Sequence, residues 1–223
     1  MDITWLGNGC FQLRDNELIA ITNPFPSTIG LEIGSLEASV VTISNNSEQH
    51  NSPDLIKGEP SVFNSAGEYE YNGIGVQGVM TTLLEGQSFE KRNIAYNILI
   101  SGIHILHLGD IAAPLTPAQI DELLPCDILL TPIGSPNTLE LDDIMQTIQD
   151  LDPNIIIPMQ YNVPGSTIND VELEPFLNKL GKNEVTPQNR LTLSKSNVEN
   201  SSMELNILHP QGKPSDTQSP KLI

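Results

Sequence analysis

Positive charge is what this sequence has least of. Ten Lys and Arg stand against 28 Asp and Glu in 223 residues, a formal net charge of −18, and basic residues never gather beyond the adjacent pair Lys91 and Arg92. Such a field repels phosphate backbones and anionic lipid surfaces, so neither nucleic acid nor a membrane is expected as a partner. Long apolar runs are missing too: nothing approaches the ~20 residues of a spanning helix. The opening MDITWLGNGCF has no basic or apolar signal region, and a cytoplasmic location is expected. Cysteine is scarce. Cys10 and Cys126 both lie beside apolar residues, which fits a reducing compartment and core packing rather than a redox pair. No Gly/Ser-rich or Pro-rich linker interrupts the chain, and no solenoid-type repeat is present, so one domain is expected over residues 1–209. Residues 210–223, rich in Pro, Ser, Gly, Gln and Lys, read as a disordered tail.

What is present is a strand-rich first half. Residues 3–6, 10–13 and 18–22 read as strands with a turn at Asp15 and Asn16, and Asn23-Pro24 ends the pairing because proline has no N–H for a ladder. Residues 38–53, ASVVTISNNSEQHNSP, run from a β-branched stretch suited to a strand covered on both faces into a polar loop with one histidine. A short strand at 61–64 follows. A hairpin at 68–79 turns on Asn72-Gly73, and a further strand spans 94–100. The G-x-G-x-x-G match at 73–78 belongs to that hairpin, since no helix follows it to receive a pyrophosphate.

In the second half strands at 103–108, 127–133 and 155–159 alternate with helices. Thr116 caps one helix, with Pro117 at its first position and Ile120, Leu123 and Leu124 turned inward. Asn137 with Glu140 suggests a capping box for the next, whose Leu141, Ile144, Met145, Ile148 and Leu151 share a face. A third runs over 171–180 to Gly181, and strands at 190–194 and 203–208 close the fold. Strands followed by strand–helix units imply an α/β fold of mixed sheets with helices packed outside.

Chemistry-bearing residues are few. His104 and His107 point to opposite faces of one strand and cannot share a metal. Either reads as a hydrogen-bonded core histidine, and His209 as surface. No G-x-S-x-G setting marks a nucleophile. Asp110 stands on a glycine turn directly after a buried strand, as a ligand, a base or an anchor for loop N–H groups.

Several blocks together resemble one family. W-L-G-N-G-C-F, N-P-F, V-V-T-I-S with its polar loop, G-E-Y-E-Y-N-G-I, H-L-G-D-I, L-T-P-A-Q-I, D-I-L-L-T-P-I-G and I-I-I-P-M-Q-Y are similar, in order and spacing, to the small metallo-β-lactamase-fold Zn-dependent hydrolases, in the branch of the ascorbate-phosphate lactonases. The resemblance reaches to about His209. It implies an αβ/βα sandwich, two mixed sheets with helices on the outer faces, with its site at one edge.

The resemblance also implies where metal ligands belong, and this chain departs from the pattern there. The family loop H-x-H-x-D-H reads Asn45, Asn46, Ser47, Glu48, Gln49, His50, leaving His50 alone of four ligands. Asn8 replaces a histidine and Asn23 an aspartate; Leu83 falls where another histidine is expected, and Gln160 replaces the histidine of P-M-H-Y. Asp110 is kept. His50 and Asp110 make two ligands where a catalytic zinc has three and a water. Two are too few to bring a bound water to a pKa near 7. The first reading is therefore a pseudoenzyme without a cofactor, a binding or scaffold module. Asn8, Asn23, Asn45, Ser47, Gln49 and Gln160 would line its emptied pocket and meet a small polar ligand or a protein partner. The second is a zinc-dependent hydrolase of a phosphoester or lactone, with a rearranged site at His50 and Asp110 and with Glu48 as an added ligand.

Overall fold

The β-branched run after Ala38 forms the strand Val40–Thr42, and all three of its residues are buried. It lies in a six-stranded sheet with Leu191–Thr192, Asp2–Gly7, Cys10–Asp15, Leu18–Thr22 and Ser61–Phe63. The first three chain-consecutive strands pair antiparallel, and Val40–Thr42 joins parallel to both Leu18–Thr22 and Ser61–Phe63. The computed structural model describes residues 1–84, 86–134, 138–168, 171–182 and 184–215.

A second sheet of seven strands runs in the order Glu204–Leu205, Ile155–Met159, Ile128–Pro132, Ile103–His107, Ile94–Ile100, Ile74–Met80, Gly67–Tyr71. Its hairpin-connected members pair antiparallel and the later ones parallel, as strand–helix–strand connections require. Asn72 and Gly73 both have positive φ, 52° and 84°, the signature of a two-residue turn matched to strand twist.

Alternation along the first sheet sorts side chains between two cores. Ile3, Trp5, Phe11, Leu13, Ala20 and Val40 join the main core with Tyr96, Ile98 and Ile105 of the second sheet. Leu6, Cys10, Ile21, Val41 and Ile43 face the other way, onto Phe25, Ile29, Leu31 and Ile56. Trp5 is wholly buried against Phe11 and Tyr161, and each fully buried side chain of this kind contributes about 2 kcal/mol.

Helices α1 (Pro117–Leu123), α2 (Leu141–Leu151), α3 (Glu174–Leu180) and α4 (Lys195–Glu199) add Leu123, Ile144, Ile148, Leu151, Phe176 and Val198 to the main core. The outer face of the first sheet is instead covered by short turns and the small strand pairs Leu31–Glu32 with Lys213–Pro214 and Leu36–Glu37 with Ile56–Lys57.

Several boundaries differ from expectation. Thr116 caps α1 through a capping box with Gln119, but Leu124 follows the helix and is exposed. Glu140 is itself the N-cap of α2; Asn137 lies outside the described residues. α3 starts only at Glu174, because Val171 bridges to Tyr161 and Pro175 suits a first turn. α4, capped by Ser194, was not anticipated. Residues 210–215 belong to the fold: Gln211 and Gly212 donate to Trp5 and Leu6, and Lys213–Pro214 is a strand. Residues 216–223 lie outside those described. Both cysteines are free and buried. Among the described residues no helix is long and apolar enough to cross a membrane.

Candidate functional site

Four chain segments meet at one edge of the sandwich. Asn8 lies in the turn between Asp2–Gly7 and Cys10–Asp15, and Asn45 to His50 follow Val40–Thr42. Asp110 follows Ile103–His107, and Gln160 follows Ile155–Met159. The backbone is unusual there: Asn8, Asn23 and Gln160 have φ of 49°, 41° and 57°, in the left-handed region. Asparagine tolerates it through local hydrogen bonding; glutamine seldom adopts it, and such residues concentrate at working sites.

His50 and Asp110 form the centre. His50 is 2% exposed, and its Nε2 lies 3.1 Å from Asp110 Oδ1. Gln160 Nε2 donates to the same oxygen at 2.6 Å and stands 3.5 Å from His50 Nε2. Asn45 Nδ2 donates to Asp110 Oδ2 at 2.9 Å. Burial by itself would raise the Asp110 pKa. The adjacent His50 charge, with hydrogen bonds from His50, Gln160 and Asn45, outweighs it and holds the carboxyl down at about 2.

The surrounding positions serve in different ways. Asn8 Nδ2 donates to Gln49 O at 3.0 Å and lies 3.5 Å from His50 Nδ1. Asn23 Oδ1 accepts from Ser44 N at 2.8 Å; its Nδ2, Ser44 Oγ and Gln160 Oε1 are buried without a hydrogen-bond partner among the described residues. Ser47 N donates to Asn45 Oδ1, and Ser47 Oγ accepts from Gln49 N, so these polar residues fold the loop on itself. Glu48 is exposed and does not line the adjoining cavity. His107 supports the floor: its Nε2 donates to Gly9 O at 2.8 Å, and its Nδ1 accepts from Gly109 N at 3.0 Å. Burial pushes its pKa down to about 4, so it is neutral. His104 sits on the opposite face beside Asn97, as strand alternation requires.

A cavity of about 590 Å³ opens onto this centre, lined by Asn45, Asn46, Ser47, Gln49 and Asp110 on one side and by Leu84, Gln87, Glu90 and Lys91 on the other. Leu83 is half-buried and does not line it. Sequence reasoning missed the second wall and missed Asn93, whose Oδ1 accepts from Asp110 N at 2.8 Å. The available signal was an uncharged polar residue at the mouth of the strand Ile94–Ile100. Among the described residues no three His, Cys, Asp or Glu side chains converge as metal ligands.

Comparison with known proteins agrees with this fold. A family model described as a β-lactamase superfamily domain matches residues 2–160. A protein of Methanosarcina mazei named a UPF0173 metal-dependent hydrolase is 26% identical over 201 residues, covering 73% of this chain and 84% of its own. The crystal structure of a Thermotoga maritima protein described as a candidate Zn-dependent hydrolase of the metallo-β-lactamase superfamily superposes with a TM-score of 0.77. It is 29% identical, covering 93% of this chain and 97% of that one. A metallo hydrolase of the archaeon Ignicoccus hospitalis shares the fold, with a TM-score of 0.63 at 16% identity over 96% of this chain and 97% of its own. These names overturn the expectation that no cofactor is to be sought, because the relatives are metal-dependent by name. With the two-sheet architecture, the edge site and the family match in agreement, the chain belongs to the β-lactamase superfamily and has the metallo-β-lactamase sandwich fold.

Proposed function

We propose that this protein is a divergent metal-dependent hydrolase, acting on a phosphoester or lactone, whose centre has contracted to one cation position at His50, Asp110 and Gln160. The observation that carries this reading is the triangle of His50 Nε2, Asp110 Oδ1 and the Gln160 amide, with edges of 3.1, 2.6 and 3.5 Å. Gln160 Oε1 is buried and unpartnered among the described residues. Oxygen and nitrogen of a carboxamide are nearly equal in size, so a half-turn of the amide presents the oxygen to His50 and Asp110. The donor set then fits a divalent cation: one imidazole, one carboxylate and one neutral oxygen. A neutral amide oxygen binds more weakly than the imidazole it replaces, so affinity falls below that of a three-histidine centre.

A cation held there would polarise a carbonyl or phosphoryl oxygen. The chain's own residues do the rest. Asn45 fixes the Asp110 carboxylate, Asn8 borders the far side of the His50 ring, and the amide-lined cavity orients a polar substrate.

A second reading is a binding module derived from such a hydrolase, in which turnover has been lost. It is favoured by one observation: both Asp110 oxygens already have partners in His50, Gln160 and Asn45. One experiment separates the two. Turnover of a phosphodiester and lactone panel with added Zn²⁺ or Mn²⁺ should disappear in His50→Ala and Asp110→Ala. Turnover indifferent to both changes, or absent from the wild type while a small polar ligand copurifies, removes the hydrolase reading.

A further inference from the structure

Residues 81–84 and 86–93 form the outer wall of the cavity, and Thr81 and Asn93 at its two ends are clasped. Thr81 N donates to Asn93 O at 2.9 Å and Thr81 Oγ1 to the same oxygen at 3.3 Å, while Asn93 Nδ2 donates to Thr81 Oγ1 at 3.2 Å. The wall sends Leu84, Gln87, Glu90 and Lys91 into the cavity. Asn93 is 4% exposed, and its side chain faces two ways. Nδ2 also donates to Leu108 O at 2.9 Å, and Oδ1 accepts from Asp110 N at 2.8 Å. Between these two contacts lies Gly109, at φ 60°, packed so that an added Cβ would strike Asn93 Oδ1 and Ser44. One carboxamide therefore holds both the base of the wall and the turn that carries Asp110, with no slack at Gly109.

We propose that Asn93 is a positioning residue that ties this wall to Asp110, so that a ligand seated against Gln87 and Lys91 alters the placement of the Asp110 carboxylate. The inference deepens the hydrolase reading and rests on it in so far as Asp110 is a working group. The physical basis is satisfaction: both Asn93 Nδ2 contacts are buried and its Oδ1 contact is partly so, and a shift of Thr81 is transmitted to the 108–110 turn or leaves a polar group unpaired.

The test uses Thr81→Val, which removes only the wall-side hydroxyl, beside Asn93→Ala, which removes the whole link and could unfold the edge. In metal-free protein, Thr81→Val should shift the His50 ring nitrogen signals in NMR and speed amide exchange of Asp110 about tenfold. Where wild type takes up Zn²⁺ in calorimetry, Thr81→Val should weaken it several-fold. Changes confined to residues 81–93, with the Asp110 amide and His50 ring as in wild type, overturn the proposal. A wild type that takes up no Zn²⁺ or Mn²⁺ defeats the hydrolase reading instead, and the amide and ring signals still decide the role of Asn93.

Discussion

The side-chain nitrogen of Gln160 stands 2.6 Å from Asp110 Oδ1, on a backbone held at φ 57°. A strained residue aimed at a half-buried carboxylate is a poor way to end a strand unless the position serves the site. Its neighbour in the triangle, His50, reaches the same oxygen from a loop more than a hundred residues earlier.

Gln160→His should raise Zn²⁺ affinity at least tenfold in calorimetry, since imidazole is the better ligand and histidine tolerates the left-handed region better than most residues. Gln160→Leu should abolish uptake. Equal affinities in the three proteins would remove Gln160 from the cation position.

Asp110→Ala should destabilise the protein by about 1–3 kcal/mol in urea unfolding, because it strands the amide donors of Asn45 and Gln160 in a buried setting. A change below about 0.5 kcal/mol would mean that the carboxylate is not the hub of this network.

Stability of the metal-free protein should fall as pH drops from about 6.5 to about 4. His107 is held neutral in the fold with a pKa near 4, so in that interval the unfolded chain binds the extra proton. The full loss is on the order of 3 kcal/mol. His107→Gln should flatten this part of the curve; an unchanged slope would assign it to other groups.

Gly109→Ala should cost about 2 kcal/mol or more, since the left-handed backbone and the clash with Asn93 and Ser44 act together. Gly73→Ala, also at positive φ but with nothing within 4 Å of an added Cβ, isolates the backbone part in the same melting experiment.

Much of the fold was legible in the chain. The β-branched run at Val40–Thr42, the Asn72-Gly73 turn and the Thr116-Pro117 helix start are local signals, and each forms where its chemistry demands. Two helix starts differ: Glu140 is itself the N-cap of α2, and Val171 forms a bridge with Tyr161, a tertiary partner that outweighs helical propensity. Within the site, Asn8, Asn23, Asn45, Ser47, Gln49 and Gln160 are legible only through the resemblance of the chain's blocks to a family. Their separate tasks are not: Asn23 binds the backbone of Ser44, Ser47 and Gln49 shape the loop, and Asn93 carried no motif.

The sequence by itself determined the acidic balance and the strand-then-alternating order, because composition and periodicity are local properties. Only the tertiary structure decided that Asn8, Asn45, His50, Asp110 and Gln160 share one point, and that Asn93 stands behind it. Such meetings depend on strand order across two sheets and on a few left-handed backbone turns that aim each side chain, and no window of neighbouring residues contains either.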